Sequence, residues 1–440
     1  VILREIGTSG PDWPLSRALR EGLGAQGGLL LPRDWPRIER GEMAALLLST
    51  REERLDHLSR LLFGADLGEE APRVVREAID FPLPVRELGP GIHGLELFHG
   101  PSFAFKDVGA RFLARALEVV RRREGIDTEL TVLTATSGDT GAAVACAFHG
   151  VAGIRAVILY PEGGVTELQE RQMATLGGNV RALAVSGTFD SCQALVREAF
   201  RDPVLRADCG LTTANSLNPG RLLPQVLYSL EGVAALLEQG VIGDPFATPP
   251  VFVVPSGNFG NLTSAILGER LGLPVRSFLA ATNANDTIPR HLSTGHLEPR
   301  KVVRTYSNAM DIGSPANWAR IEALLGGLQG VRERVRAVRI GEEETLDAIR
   351  RVHAGAGILL DPHSAVGYAA AARTQEGVRL VYCTAHPAKF PAAVRAAISV
   401  EPELPPALAE TLARSFTRKT LEPSIDALRR VLLDEKGSAS

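Results

Sequence analysis

Leu130-Thr-Val-Leu-Thr134-Ala-Thr136-Ser137-Gly138-Asp139-Thr140-Gly141 reads as a short β-rich run, a polar turn and the opening of a helix. The helix that follows, Ala142 to Phe148, is made of small residues. Downstream the rhythm repeats: Ile154 to Tyr160 reads as a strand ended by Pro161, Glu167 to Leu176 as a helix, and Val180 to Val185 as another strand. Upstream, Phe105, Val108, Phe112, Leu113, Ala116, Leu117 and Val120 recur at helical spacing. Strands alternating with helices imply a parallel sheet with right-handed crossovers.

From about residue 210 the pattern resumes on a larger scale. Pro249-Pro250 leads into the apolar run Val251 to Val254, and Arg276 to Ala281 and Val378 to Cys383 are further strand candidates. The first 95 residues are different. They carry amphipathic helices, Leu15 to Leu23, Met43 to Leu48 and Leu55 to Leu62, punctuated by Gly/Pro-rich breaks at Gly27–Pro36 and Pro82–Gly91. The expected fold class is α/β, in three units. Residues 1–95 form a mixed, mainly helical N-terminal domain, 96–210 a smaller α/β domain and 211–440 a larger one, the last two with open parallel or mixed sheets. Lys436 to Ser440 read as a frayed tail.

The 440 residues give ample core for such a division, and a net charge of −3 without patterning points away from nucleic acid and membrane surfaces. Cys146, Cys192, Cys209 and Cys383 are far apart and lack metal-ligand spacing, so reduced thiols and no metal are expected. No stretch near Val1 joins a basic region to an apolar core and a cleavage site, which sets the expectation of a cytoplasmic protein.

Lysine is scarce, occurring only at 106, 301, 389, 419 and 436, while arginine supplies nearly all the positive charge. Arginine serves surface roles equally well, but lysine alone sheds its proton readily and forms an imine. Lys106, among Phe103, Phe105 and Phe112 at a helix start, is therefore the candidate for covalent chemistry; a solvated lysine fits the same position. Lys389 is its rival, read as solvated because it follows a proline in a turn.

Four polar turns stand at strand ends or helix starts, the edge where open α/β sheets bind ligands. In Thr136–Gly141 the glycines permit a path that aims several N–H groups at one anion, although ordinary capping would use the same residues. Pro255-Ser256-Gly257-Asn258-Phe259-Gly260-Asn261 suits a phosphate, yet lacks the Gly-Lys-Ser/Thr of a nucleotide loop and the spacing of a dinucleotide turn. Asn215-Ser216 with Arg221 could meet one oxyanion, or be a plain turn with a surface arginine. Thr384, after the last strand, could face a bound ring; His386 fits a local hydrogen bond better than catalysis.

Taken together, these stretches resemble the pyridoxal-phosphate enzymes of the tryptophan-synthase-β type, and within them the threonine synthase family of the longer microbial and fungal kind. The resemblance rests on Ser102-Phe-Ala-Phe-Lys106-Asp107, Thr136–Gly141, Asn215-Ser216 with Arg221, Ser256–Asn261, Ser307-Asn-Ala-Met-Asp311, Thr384–Phe390 and the opening Gly22–Pro32. It implies a cleft between the two α/β domains that holds pyridoxal 5′-phosphate. Lys106 would bind the cofactor covalently and shuttle protons. Gly257, Asn258, Phe259, Gly260 and Asn261 would cradle its phosphate, Asp139 would lie near the ring 3′-oxygen, where shorter relatives more often place Asn, and Thr384 would face the ring nitrogen. Thr136, Ser137 and Thr140 would hold the substrate carboxylate; Asn215, Ser216 and Arg221 would hold its phosphate. The implied substrate is O-phospho-L-homoserine, the implied products L-threonine and phosphate, and the protein a monomer or small homo-oligomer. A phospholyase or dehydratase on the same scaffold, and more remotely a non-catalytic α/β binding protein, are the competing readings.

Overall fold

The computed structural model describes residues 1–433; the expected frayed tail, 436–440, lies outside them. Two α/β sheets dominate. The smaller has the order Thr420–Leu421, Val180–Val185, Ile154–Pro161, Leu130–Ala135, Leu211–Thr212, all parallel. The larger runs Val335–Arg339, Ser277–Thr282, Val251–Pro255, Arg379–Cys383, Ile92–Glu96, Val85–Gly89, parallel except for the last, antiparallel pair. The six strands read from the sequence all form, within a residue or two of their expected ends.

The apolar runs follow from burial on both faces, as parallel sheets require. Along the smaller sheet, Val132, Ala156, Ile158 and Ala184 face one core, which includes the helix Lys106–Glu124. Their neighbours Leu133, Val157, Leu159 and Val185 face another, under the helices Phe189–Arg201 and Ile425–Leu433. The larger sheet alternates likewise: Phe252, Val254 and Phe278 to one side, Val251, Val253 and Leu279 to the other.

Three segments cross the divisions expected from the sequence; the shortest step is Leu211–Thr212, which pairs with Leu130–Ala135 just beyond the expected boundary at 210. The break at 82–91 contains a strand, Val85–Gly89, which pairs with Ile92–Glu96 as a hairpin on the edge of the larger sheet. The Gly89-Pro90-Gly91 that signals a break is the turn of that hairpin. At the other end, Thr420–Leu421 returns to extend the smaller sheet beside Val180–Val185. The N-terminal region adds its own three-stranded sheet, Trp13–Pro14, Ile2–Glu5, Leu30–Pro32, so the break at 27–36 also carries a strand. No helix among the described residues is long and apolar enough to cross a membrane.

Candidate active site

The carboxyl ends of both sheets open on one cavity of about 550 Å³, and every site residue expected from the sequence lines it. Lys106 reaches it from the first turn of the helix Lys106–Glu124. The preceding residues run against the strand end after Cys383: Phe105 N–H donates to Thr384 O at 2.9 Å, His386 N–H donates to Phe103 O at 3.1 Å, and Ala104 bridges Ala385. Lys106 and Thr384, distant in sequence, are thereby side by side. The Lys106 side chain is only 16% exposed. Burial lowers its affinity for a proton; Asp139, 3.7 Å away, opposes this, and the charges of Lys389 and Arg221 reinforce it.

The turn 256–261 is an anion cradle without charge. Among the described residues, the N–H groups of Gly257, Asn258, Phe259, Gly260 and Asn261 meet no protein acceptor. Phe259 is left-handed, with φ 60°, and caps the helix Gly260–Leu271, whose dipole adds to the cradle. Gly257 is required by close approach, since a Cβ there would lie 2.6 Å from Met310 Cα. Gly260 has more room, its nearest Cβ contact being Ser216 Cβ at 3.4 Å. Asn258 ties the cradle to the next turn, its Nδ2 donating to Ser216 Oγ at 2.8 Å.

The turn 136–141 differs. The Thr136 hydroxyl accepts from Gly138 N–H at 2.9 Å and Gly141 N–H at 2.8 Å, so it shapes the turn. The N–H groups of Ser137, Asp139 and Thr140 and the hydroxyls of Ser137 and Thr140 have no partner among the described residues. Asp139 is buried. Burial alone would raise it, but Lys389, Lys106 and His363 outweigh that and hold it well below the usual carboxylate range.

In the third turn, Asn215 clamps the strand end, donating to Ala135 O at 2.7 Å and accepting from Ala135 N–H at 3.2 Å. Ser216 Oγ accepts from both Asn258 and Asn317, which leaves its proton for a guest. Arg221 is buried and donates through Nη1 to Ala214 O, while its Nε has no partner. Burial lowers it to about 10, still cationic at neutral pH.

Lys389, read as solvated, is wholly buried and ion-paired to Asp139 at 2.7 Å. His386 accepts from Ala388 N–H, the local role expected of it. Sequence reading missed His363, which lines the cavity, accepts from Ala309 N–H at Nε2 and pairs with Asp361 through Nδ1 at 2.6 Å. Asp361-Pro362 is a helix-start signal that could have drawn attention to it. Also missed was Arg320, which is fully buried and holds the third turn by donating to Ser216 O and Leu217 O.

A buried lysine opposite an uncharged N–H cradle, at the carboxyl ends of a parallel and a mixed sheet, fits pyridoxal phosphate: it offers an amine for covalent attachment and a seat for one phosphate. Residues 81–382 match the family of pyridoxal-phosphate dependent enzymes, and residues 364–432 match the C-terminal region of threonine synthase. Threonine synthase from Serratia marcescens is 43% identical over 95% of this chain and 96% of that protein. The crystal structure of threonine synthase from Escherichia coli superposes with a TM-score of 0.90 at 38% identity, covering 99% of this chain and 100% of that one. A structure of threonine synthase from Brucella melitensis with PLP bound gives 0.89 at 34% identity, covering 98% of each. The chain belongs to the threonine synthase family.

Proposed function

We propose that this chain converts O-phospho-L-homoserine and water into L-threonine and phosphate, working in the cytoplasm as a monomer or small homo-oligomer. The observation that carries the reading is Arg221. It is a buried cation with no carboxylate in salt-bridge range among the described residues and an unpartnered Nε, on the same cavity as Lys106. A buried charge without a counter-ion is costly, and an anionic substrate group removes the cost. The neutral cradle at 257–261 is left for the phosphate of the cofactor.

Bound pyridoxal phosphate supplies the electron sink for loss of the substrate α-proton. Lys106 would hold the cofactor and, once the substrate amine has displaced it, would take up that proton at Nζ, which its burial keeps ready to be neutral. Thr384, whose hydroxyl has no partner among the described residues, would face the ring nitrogen, and Asp139 would lie at the 3′-oxygen side. Ser137 and Thr140, with their turn's free N–H groups, hold the substrate carboxylate. Thr136 serves by fixing its turn, since its hydroxyl is already bonded within the protein; Asn215 clamps its turn through one N–H of Nδ2 and keeps the other for the substrate phosphate. Arg221 and the Ser216 hydroxyl hold the substrate phosphate, stabilising it as charge builds on departure. The smaller α/β unit closes over the cleft to keep water out until phosphate has left.

Arg221→Lys keeps the charge and loses the planar fork. It should lower kcat/KM for O-phosphohomoserine by about 1–3 kcal/mol of transition-state stabilisation. A variant as active as wild type would place the substrate phosphate elsewhere.

A further inference from the structure

Lys389 lies beneath the site and has no part in the scheme above. Its side chain is completely buried, and Nζ donates to Ser102 O at 2.8 Å and to Asp139 Oδ1 at 2.7 Å. Gln169 Nε2 donates to the same Oδ1 at 3.0 Å. The other oxygen, Oδ2, lies 3.7 Å from Lys106 Nζ. One buried carboxylate thus stands between two lysines. The nearer lysine does not line the cavity and the farther one does.

This arrangement answers a chemical difficulty. An opposite charge within about 4–6 Å favours a protonated amine. Asp139 alone beside Lys106 would therefore keep the proton on the nitrogen that has to lose it. We propose that Lys389 is a positioning residue which, acting through Asp139, takes up that carboxylate's charge and leaves the Lys106 nitrogen free to give up its proton. Three features support this. Lys389 is the closer partner, at 2.7 Å against 3.7 Å for Lys106. It has no solvent to share its charge with. Its remaining bond, to Ser102 O, anchors it on the loop that leads into Lys106. The charged groups facing Lys106 are Asp139, Lys389, Arg221 and Asp361; those facing Asp139 are Lys389 and Lys106, with the titratable ring of His363. The proposal rests on Lys106 being the residue that binds the cofactor.

The test is a pH titration of the cofactor's visible absorption in full-length holoenzyme, for wild type, Lys389→Met, Asp139→Asn and the double variant. Lys389→Met should move the titration of the Lys106 nitrogen to alkaline pH by roughly 1–3 pH units, the usual effect of an opposite charge at this range. Asp139→Asn leaves Lys389 as a bare neighbouring cation and should move it to acid pH. The double variant, lacking both charges, should return close to wild type. A purely structural Lys389, needed only to hold Ser102 O, would not be rescued by Asp139→Asn. A folded Lys389→Met with an unmoved titration overturns the proposal, as does a double variant displaced as far as the single one. Should Lys389→Met not fold, Lys389→Gln, which keeps a donor for Ser102 O and removes the charge, takes its place: an alkaline displacement supports the role, and an unmoved one overturns it. Borohydride reduction followed by peptide mass mapping keeps the premise separate. Cofactor found on Lys106 upholds it; cofactor found on Lys389 rejects the Lys106 assignment and this role together.

Discussion

The turns at 136–141 and 256–261 both leave a parallel strand, pass through backbone N–H groups without protein acceptors and open a helix. The second has five such groups in a row and no charged side chain. The first has three, shares its path with the Thr136 hydroxyl, and carries Asp139, whose charge is matched by Lys389. A cofactor phosphate, which is largely dianionic at neutral pH, is suited to the uncharged cradle backed by a helix dipole. A substrate carboxylate carries one charge and can sit at a turn whose own carboxylate is already paired. The same strand–turn–helix plan therefore selects different guests through one side chain and its counter-ion.

The sharpest way to break this comparison is at Gly257. Gly257→Ala would put Cβ 2.6 Å from Met310 Cα and 3.0 Å from Ala309 O, both backbone atoms, so the cradle has to open. With overpacking worth roughly 1–3 kcal/mol, cofactor retention should fall by about 10–100-fold in equilibrium dialysis. Gly260→Val is the control, because Ser216 Cβ at 3.4 Å is its nearest neighbour. It should leave the Tm of the apoprotein unchanged and weaken cofactor retention only through the ligand itself.

Gly138→Ala tests the other turn. Gly138 has φ 136°, and a Cβ there would meet Gln169 at 2.4 Å, disturbing the side chain that donates to Asp139. Strain of about 1–3 kcal/mol should appear chiefly as a raised KM, with cofactor held better than in Gly257→Ala. Cofactor loss in the reverse order would exchange the roles of the two turns.

The smallest effect concerns pH. Turn 256–261 has no titrating side chain, whereas Asp107, next to Lys106 in sequence, is fully buried outside the cavity lining. Burial pushes Asp107 up to about 6, against the Ser102 N–H it accepts at 2.9 Å. A carboxyl raised in the folded state stabilises fully below its unfolded value near 4, and that stability is lost as pH rises through about 6. Wild type should therefore lose ground to Asp107→Asn between pH 4 and pH 7, by at most about 3 kcal/mol. Melting temperatures at the two pH values check this; a constant difference would show that Asp107 does not titrate there.

Much of this was legible before folding. Runs such as Ile154–Pro161 are apolar on both faces and can only be buried strands, and their polar ends fall where ligands bind. The hairpin at Val85–Gly89 was obscured because its turn is made of the residues that also signal a break. Thr420–Leu421 is too short for any periodicity, and its pairing with Ala184 and Val185 is purely tertiary. Lys389 was misjudged for a related reason. Its proline turn looks exposed, and its counter-ion Asp139 is 250 positions away, on the other sheet. Arg320 was invisible because its partners are carbonyls, which no sequence pattern marks.

The most direct test of the central claim is product analysis of O-phospho-L-homoserine turnover in heavy-oxygen water, with threonine and serine as rival substrates. The account predicts threonine and phosphate in equal amounts, with the heavy oxygen in the threonine hydroxyl and none in the phosphate, and far poorer reaction of the two rivals. Phosphate with 2-oxobutyrate and no threonine, or dominant deamination of threonine, would contradict it.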